Sequence, residues 1–265
     1  MKNEVQVLLS IMNEKNPNKH LEKMNIKSNY VVINQITNDN IKKINTLDKY
    51  NKIISIIDKG LSKSRNLAIK NCTCKIGLIS DDDMYYVDNY QEIILNAYSK
   101  YKDADIIAFA VEHENKKFEK RLFKEGRLRY IKSLRISSVQ MTIKTESIRS
   151  KNIKFDEQFG SGSEYYMGEE NIFMYDCLKN KLKIYYVPKK IGILKEINES
   201  NWFKGYTKDF FLVKGSVFYR MSKELYIPLI FQFAIRKRKY FNNINLFTAI
   251  KYMLEGANKY KKVIK

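Results

Sequence analysis

Three adjacent carboxylates, Asp81, Asp82 and Asp83, follow the apolar residues 76–79 and Ser80. Because successive side chains of an extended segment point in opposite directions, Asp81 and Asp83 can converge on one point while Asp82 faces away. Such a pair suits a hard divalent cation, which prefers carboxylate oxygens. Aspartates after a strand also form turns and cap helices, so the surrounding residues must decide between the two interpretations.

A second group of chemical interest is the segment 60–69, in which Gly60, Ser62, Lys63 and Arg65 stand at the start of a predicted helix. The N-terminus of a helix offers free N–H groups and positive potential, and two cations beside it suit a phosphate. An ordinary capped helix with solvated Lys and Arg side chains has the same composition. Beside a metal-binding acidic cluster, however, the cations and a metal would together neutralise a diphosphate.

A third group is a glycine-rich loop, with Gly160, Gly162 and Gly168, that leads into Glu169 and Glu170 at the start of another predicted helix. Acids in the first turn stabilise a helix through its dipole, which is one explanation of the pair. A carboxylate beside such a loop can also reach a cleft and accept a proton from a hydroxyl nucleophile if its pKa is raised.

The elements that must position these groups alternate between strands and helices over the first hundred residues. This pattern predicts an α/β fold with a mixed, largely parallel sheet flanked by helices. The predicted strands are residues 5–12, 30–33, 53–57 and 76–79, and the predicted helices lie near residues 18–24, 40–47, 62–71 and 88–100. Ser10, Asn34, Asp58 and Asp81 stand at the ends of these strands, where ligands of such sheets bind, so we expect them to line one edge of the sheet.

The pattern changes beyond residue 105. Predicted strands at 106–111 and 139–145 flank a charged, hairpin-like stretch at 115–130. A helix is predicted over 169–179, a strand over 182–187 that ends at Pro188, and helices over 202–221 and 245–260 with an interrupted basic segment between them. Gly and Pro are scarce, at ten and three residues, which argues for one compact body.

In this order and at this spacing, the segments 60–69, 76–83 and 155–171 resemble those of the bacterial family 2 glycosyltransferases of GT-A fold, a Rossmann-like fold of nucleotide-diphospho-sugar transferases. The resemblance covers residues 4–188. It implies a catalytic domain over residues 1–195, with a nucleotide-sugar-binding half at 1–104 and an acceptor-binding half at 105–195. Residues 196–265 would form a helical, basic C-terminal extension associated with a membrane or with the acceptor.

The resemblance also implies roles for single residues. Asp81 and Asp83 would hold Mn²⁺ or Mg²⁺ on the diphosphate of a nucleotide-sugar, by default a uridine diphosphate sugar. Glu170 would be the catalytic base of an inverting reaction, with Glu169 in reserve. The residues implied to bind the nucleotide-sugar are Ser10, Asn34, Asp58, Lys63, Arg65, Asp81 and Asp82. The acceptor would be a hydroxyl of a saccharide, free or lipid-linked, in bacterial surface polysaccharide synthesis.

The sequence departs from the family pattern at three points. Ser80 stands where many members have an acid, and Glu170 replaces the commoner aspartate. Family members often have a histidine near the diphosphate, on the C-terminal side of the sheet, but the two histidines here are His20 and His113, which we expect to be structural or solvated. Three other residues, Lys195, Ser200 and Lys204, are the candidates to contact the leaving group instead.

The composition is strongly basic, with 49 Lys and Arg against 29 Asp and Glu and a net charge of +20. A polyanionic partner and a general bias of the sequence toward Lys both explain this charge. Residues 201–265 carry fourteen Lys or Arg against three acids. Within them, an apolar segment at 226–235 precedes four consecutive cations at 236–239, which suits either an anionic membrane surface or a packed helix with a basic end. The resemblance favours the membrane.

The three cysteines lack metal-site spacing, and no apolar run is long enough for a signal peptide or a membrane span, so we expect a cytoplasmic protein, either free or peripheral on the inner face of the cell membrane. Two rival functions remain. A sugar-phosphate nucleotidyltransferase would need a glycine-rich loop after the first strand, and residues 8–20 contain no glycine. A nucleic-acid-binding protein would explain the charge but gives the three acids no role.

Overall fold

A mixed β-sheet with helices on both faces forms the centre of the protein. The structure, a computed structural model, describes residues 4–38, 40–114, 124–195, 203–241 and 243–264. Its strands are β1 (Val5–Met12), β2 (Asn29–Gln35), β3 (Thr46–Leu47), β4 (Asn51–Ile56), β5 (Ile76–Asp81), β6 (Met84–Tyr86), β7 (Ile106–His113), β8 (Gly126–Leu128), β9 (Met141–Lys144) and β10 (Ile184–Leu194).

The helices follow the strands in alternation through the first part of the chain and then dominate its end. They are α1 (Pro17–Lys23), α2 (Leu61–Asn71), α3 (Tyr90–Lys100), α4 (Tyr130–Ser133), α5 (Thr145–Ser150), α6 (Glu169–Lys179), α7 (Lys208–Met221), α8 (Tyr226–Lys237) and α9 (Leu246–Val263).

The strand order across the sheet is β3-β4-β2-β1-β5-β9-β7-β10-β6, with β8 paired to β10. Strands β4, β2, β1 and β5 are parallel neighbours, whereas β9 runs antiparallel between β5 and β7. Because parallel strands end on the same side, the residues that follow β1, β2, β4 and β5 gather at one edge. The register places Ser10 directly opposite Asp81 across β1 and β5. The predicted α/β class with a mixed sheet and flanking helices is confirmed.

Side-chain alternation along the strands divides the core between the two faces of the sheet. On β1, Leu8 packs with α2 and α6 on one face, while Val7 and Leu9 pack with α1 and α3 on the other. All three are fully buried. This explains why the strand is continuously apolar, since it is covered on both faces. The three cysteines are buried and unpaired.

Two predictions in the sheet are wrong. Residues 40–47 form no helix; this stretch ends in β3, which pairs antiparallel with β4. The strand predicted to end at Pro188 continues to Leu194, because Pro188 falls at a shift of register between Val187 and Lys190, where its missing N–H breaks no ladder bond. Of the stretch predicted as a hairpin, residues 115–123 lie outside the described residues, and so do Ser200 and the predicted helix start at Trp202.

The C-terminal helices pack on the body of the protein rather than standing apart from it. Their core includes Phe159 and Tyr165 from the glycine-rich loop and Ile172 from α6. The segment predicted as interrupted is the continuous helix α8, whose buried residues are Leu229, Ile230, Phe233 and Ala234. In the described part of the chain, no helix combines the length and the apolar character needed to cross a bilayer.

Helices α7 and α9 approach each other closely enough to exclude any side chain at the contact. A Cβ atom on Gly215 would lie 1.8 Å from the carbonyl oxygen of Met253, and one on Gly256 would lie 1.9 Å from that of Leu212. The hydroxyl of Ser216 donates to the carbonyl of Gly256 at 3.0 Å. The two glycines thus set the distance between the helices, and so the position of α7 against the body.

Candidate active site

The acidic turn, Asp81 to Asp83, joins β5 to β6 at the carboxyl edge of the parallel strands. Burial and the charges of Asp81 and Asp82 raise the pKa of Asp83 to about 6. Burial and Asp81 also raise the pKa of Asp82, while His20 opposes that shift. The Oδ1 atom of Asp83 is buried and has no hydrogen-bond partner among the described residues. Negative charge is therefore concentrated in this turn without full compensation.

Two residues hold the turn from outside. The Nε2 atom of His20 lies 3.1 Å from the carbonyl oxygen of Asp82, and its Nδ1 lies 3.5 Å from the Glu14 carboxylate. The backbone N–H of Lys195 donates to the carbonyl of Asp83 at 2.8 Å. The position of His20 fits the predicted structural role. Lys195, a candidate for contact with the leaving group, lies beside the turn.

Arg65 connects the acidic turn to the glutamate pair. Its Nη2 donates to both Asp81 oxygens, at 2.8 and 3.1 Å, and its Nη1 donates to Oε1 of Glu169 at 2.7 Å. Nη2 also donates to the hydroxyl of Ser138 at 2.8 Å. Burial favours the neutral form of Arg65, but the two carboxylates outweigh this effect and raise its pKa. One buried guanidinium, 1% exposed, thus links all three segments on which the resemblance rests.

The next residue, Asn66, fixes the glycine-rich loop to the same helix. Its side-chain amide donates to the carbonyl of Phe155 at 2.9 Å and accepts from the N–H of Phe155 at 2.8 Å. Together, Arg65 and Asn66 give the motif in α2 a physical reason: adjacent residues tie one helix to the acidic turn and to the loop that precedes Glu169.

The start of α2 differs from the open phosphate site that its sequence predicts. The N–H of Leu61 donates to the carbonyl of Ser161 at 2.9 Å, so this amide is not free. The hydroxyl of Ser62 donates to the carbonyl of Phe159 at 2.6 Å. Of the two cations, Lys63 is partly exposed and pairs with Asp58, its Nζ lying 3.0 Å from Oδ1, whereas Arg65 is buried. Lys63 and Asp58 therefore lie at the outer rim of the candidate site, and Arg65 lies in its buried interior.

Ser10 and Asn34 lie at the predicted edge, and both are engaged by neighbouring protein groups. The hydroxyl of Ser64 donates to that of Ser10 at 2.8 Å, which joins β1 to α2. The Asn34 amide donates to the carbonyl of Glu14 at 2.8 Å and accepts from the N–H of Glu14 at 3.1 Å, which fixes the loop after β1. These contacts shape the edge of the sheet, and direct contact of either residue with a nucleotide stays a prediction.

The two glutamates at the start of α6 occupy different environments. Glu169 is buried and held by Arg65. Glu170 is partly buried and forms no ion pair with a described residue. Burial and the neighbouring charge of Glu169 raise the pKa of Glu170, against the opposing charge of Lys214. A carboxylate with a raised pKa and no fixed partner can accept a proton, so Glu170 has the properties of a general base.

Lys214, a residue that the sequence analysis missed, lies on α7 close enough to Glu170 for the two charges to interact. Helix α7 touches the start of α6 closely, because a Cβ on Gly168 would lie 2.6 Å from a methyl of Val217, one turn along α7 from Lys214. The Lys214 ammonium lies 5.3 Å from the ring centre of Phe218 and 5.6 Å from that of Phe233. Burial lowers its pKa, and the charge of Glu170 opposes this shift. The C-terminal helices thus contribute a cation beside the glutamate pair.

A second tie between α7 and the site runs through Arg220. Its Nε lies 2.6 Å from Oδ2 of Asp156 in the glycine-rich loop, and its Nη2 lies 3.0 Å from Oδ2 of Asp176 in α6. Both carboxylates raise the pKa of Arg220 despite its burial. The loop, α6 and α7 therefore form one connected support for Glu170.

The acidic turn suits a divalent cation only if water and substrate supply the other ligands of the metal. No three His, Cys, Asp or Glu side chains in the described ranges surround one point as a complete metal cage would require. The buried Oδ1 of Asp83 has no hydrogen-bond partner among the described residues and is therefore an oxygen that is available to coordinate a metal. Mg²⁺ and Mn²⁺ sites of enzymes commonly use one or two carboxylates and complete their coordination with water and substrate phosphates. The donor set suits that arrangement.

The mixed sheet with helices on both faces is a GT-A-like fold, as comparison with solved structures shows. Residues 1–349 of S. aureus TarS in complex with UDP-GlcNAc match with a TM-score of 0.59 and 13% identity, over 89% of this chain and 73% of that one. The mannosyltransferase PcManGT from Pyrobaculum calidifontis, in complex with GDP-Man and Mn²⁺, matches with a TM-score of 0.55 and 11% identity, over 99% of this chain and 75% of that one. No protein-family model and no curated protein matches the sequence.

Proposed function

We propose that the protein is a metal-dependent, inverting glycosyltransferase of the family 2 type. It would transfer a hexosyl or N-acetylhexosaminyl group from a nucleoside diphosphate sugar to a hydroxyl of a saccharide or lipid-linked saccharide acceptor. A uridine diphosphate donor is the default, and the structural neighbour bound to UDP-GlcNAc supports it. We place the reaction in the synthesis of bacterial surface polysaccharides.

The observation that carries the proposal is the bridge formed by Arg65. Its two terminal nitrogens contact Asp81 at 2.8 Å and Glu169 at 2.7 Å, so the acidic turn and the glutamate pair are one guanidinium apart. A sugar transferase needs this proximity, because the diphosphate leaving group and the acceptor hydroxyl lie on either side of one sugar carbon. The bridge supports a single site for both functions.

In the proposed reaction, Glu170 accepts the proton of the acceptor hydroxyl. The freed oxygen attacks the anomeric carbon, the bond from that carbon to the diphosphate oxygen breaks, and its electron pair leaves with the nucleoside diphosphate. Asp81 and Asp83 would hold Mn²⁺ or Mg²⁺, which supplies positive charge for the leaving diphosphate. Lys63 and Asp58 lie at the exposed rim beside the start of α2. There they would contact the nucleotide-sugar, and Asp82 would do so from the acidic turn.

In this proposal, the main role of Arg65, Ser10 and Asn34 is to hold neighbouring groups of the site in place. Each is buried, and each contacts a group that shapes the edge where the donor would bind. Glu169, paired with Arg65, would orient the start of α6 rather than accept the proton. The raised pKa of Glu170 supports it as the base, because a base whose pKa lies nearer to neutral is a stronger proton acceptor.

The test is the release of nucleoside diphosphate from a panel of nucleotide-sugars, with Mn²⁺ or with EDTA. We expect release from one donor in the presence of Mn²⁺ and its loss in Asp83→Asn and Glu170→Gln. Glu164→Gln changes an exposed carboxylate in the glycine-rich loop that precedes Glu170. It is the matched control and should retain the activity.

An absent acceptor would silence a true transferase, so calorimetry of donor binding with Mn²⁺ accompanies the assay. Failure of every donor to bind would contradict the proposal. Formation of a nucleotide-sugar from a sugar phosphate and a nucleoside triphosphate would instead favour the nucleotidyltransferase alternative.

A further inference from the structure

Helix α8 presents an apolar stripe that the described residues leave exposed, on a side away from its packed face. Ile227, Phe231 and Ile235 are spaced four residues apart, so they lie along one face of the helix. They are 43%, 44% and 57% exposed, respectively. Another face packs into the C-terminal core through Leu229, Ile230, Phe233 and Ala234. The helix is therefore apolar on two faces, one of which the described part of the chain does not cover.

A cluster of cations continues the stripe. Arg236, Lys237, Arg238 and Lys239 follow Ile235 directly, and no Asp or Glu occurs anywhere in residues 225–254. The ammonium groups of Lys237 and Lys239 lie 5.2 and 4.9 Å from the ring centre of Tyr240, which is itself 47% exposed. An exposed tyrosine between cations, at the end of an apolar stripe, has the composition of a membrane interface.

The apolar stripe and the basic cluster together distinguish between three partners of this surface: a second copy of the chain, a nucleic acid and a lipid bilayer. In a symmetric pair of chains, the same surface would face its own copy, and the two basic clusters would repel each other. A nucleic acid would attract the cations but would leave the apolar stripe uncovered. An anionic lipid bilayer satisfies both parts, because apolar side chains enter the interface while Lys and Arg contact the charged headgroups.

We propose that α8 and the basic segment after it, residues 225–240, form a docking face for an anionic lipid bilayer. The face lies near the candidate active site, because the ring centre of Phe233, on the packed side of α8, is 5.6 Å from the ammonium of Lys214. Docking would hold the site at the membrane surface, within reach of an acceptor carried by a lipid. The proposal concerns a surface, and its test does not depend on transferase activity.

The test is co-sedimentation of the full chain with vesicles of phosphatidylcholine alone or of phosphatidylcholine mixed with phosphatidylglycerol. We expect binding to the mixed vesicles, weak binding to phosphatidylcholine alone, and release as salt screens the headgroups. The variant Phe231→Gln/Ile235→Gln keeps the charge and removes the apolar stripe. It should bind the mixed vesicles about tenfold more weakly.

Two matched variants complete the design. Ile57→Gln/Ile131→Gln changes two exposed apolar residues elsewhere on the surface and should bind like the unchanged protein. Arg238→Gln/Lys239→Gln should weaken binding several-fold, whereas Lys42→Gln/Lys43→Gln, which removes the same charge from an exposed loop, should have little effect. Thermal unfolding of each variant confirms that it is folded.

Three results would overturn the proposal. The first is the absence of binding to vesicles that contain phosphatidylglycerol. The second is equal binding by the α8 variants and their controls. The third is a dimer of the unchanged protein that Phe231→Gln/Ile235→Gln converts to a monomer, because the stripe would then be covered by a second copy of the chain.

Discussion

Four acids of the site divide into two pairs that differ in what surrounds them. Asp81 and Glu169 share the buried guanidinium of Arg65 and are held within 2.8 Å of it. Asp83 and Glu170, only two and one residues further along, have no such partner among the described residues, and burial raises the pKa of both. Compensated charges stabilise a fold, whereas uncompensated ones keep binding and proton-accepting capacity. We infer that Arg65 fixes the first pair in place, so that Asp81 would hold the metal from a set position, while the second pair keeps the capacity to bind metal and to accept a proton.

The largest effect should come from breaking the compensated pair. Arg65→Met leaves two carboxylates without their cation in a buried position, so we expect a loss of about 3–5 kcal/mol in the free energy of unfolding. Urea unfolding followed by circular dichroism at neutral pH measures it. Lys63→Met, two residues earlier on the same helix, removes a partly exposed cation and should cost less than about 1 kcal/mol. Equal losses in the two variants would show that the bridge is not an internal support.

Substitution of Asp83, the uncompensated acid of the turn, should change metal binding rather than the stability of the protein. In the unchanged protein, Mn²⁺ together with a nucleoside diphosphate should raise the melting temperature, because a ligand that binds the folded state stabilises it. Asp83→Asn should fold normally and lose most of that increase, which differential scanning fluorimetry detects. Glu146→Gln, a change of an exposed acid on α5, is the control. A full increase in Asp83→Asn would remove Asp83 from the proposed metal site.

The smallest effect is expected from Lys214, whose charge influences the pKa of Glu170, the second uncompensated acid. Its positive charge favours the ionised form of Glu170, so Lys214→Met should raise the pKa of that carboxyl further. Because the base acts when ionised, the acidic limb of the pH–rate profile should move to higher pH, by about one unit or less. Lys208→Met, an exposed change on the same helix, should leave the limb in place. A shift to lower pH in Lys214→Met would give Lys214 another role.

The sequence predicted the parts of the site that follow strands, because an apolar run followed by polar residues is a local signal. It placed Ser10, Asn34 and Asp81 at one edge and the glutamates at a helix start, as the structure has them. It did not predict the burial of Arg65, since a cation in the first turn of a helix is ordinarily solvated. Its buried state depends on Asp81 and Glu169, which are 16 and 104 residues away in sequence.

Lys214 could not be found from the sequence, because no motif marks it and its relation to Glu170 depends on how α7 packs against α6. The glycines at 215 and 256 were a usable signal, since glycine inside a helix usually marks a close approach. The two wrong predictions in the sheet have local causes. A two-residue edge strand leaves no periodic pattern, and a proline at a shift of register does not end a strand.

The division between the two pairs of acids is tested most directly by comparing the neighbours Glu169→Gln and Glu170→Gln. Unfolding free energy and donor turnover are measured for both at neutral pH. The account predicts that Glu169→Gln lowers stability by about 1–3 kcal/mol because Arg65 loses part of its compensation. It predicts that Glu170→Gln keeps or gains stability and loses turnover roughly a hundredfold or more. Full turnover in Glu170→Gln, with loss of turnover at unchanged stability in Glu169→Gln, would contradict it.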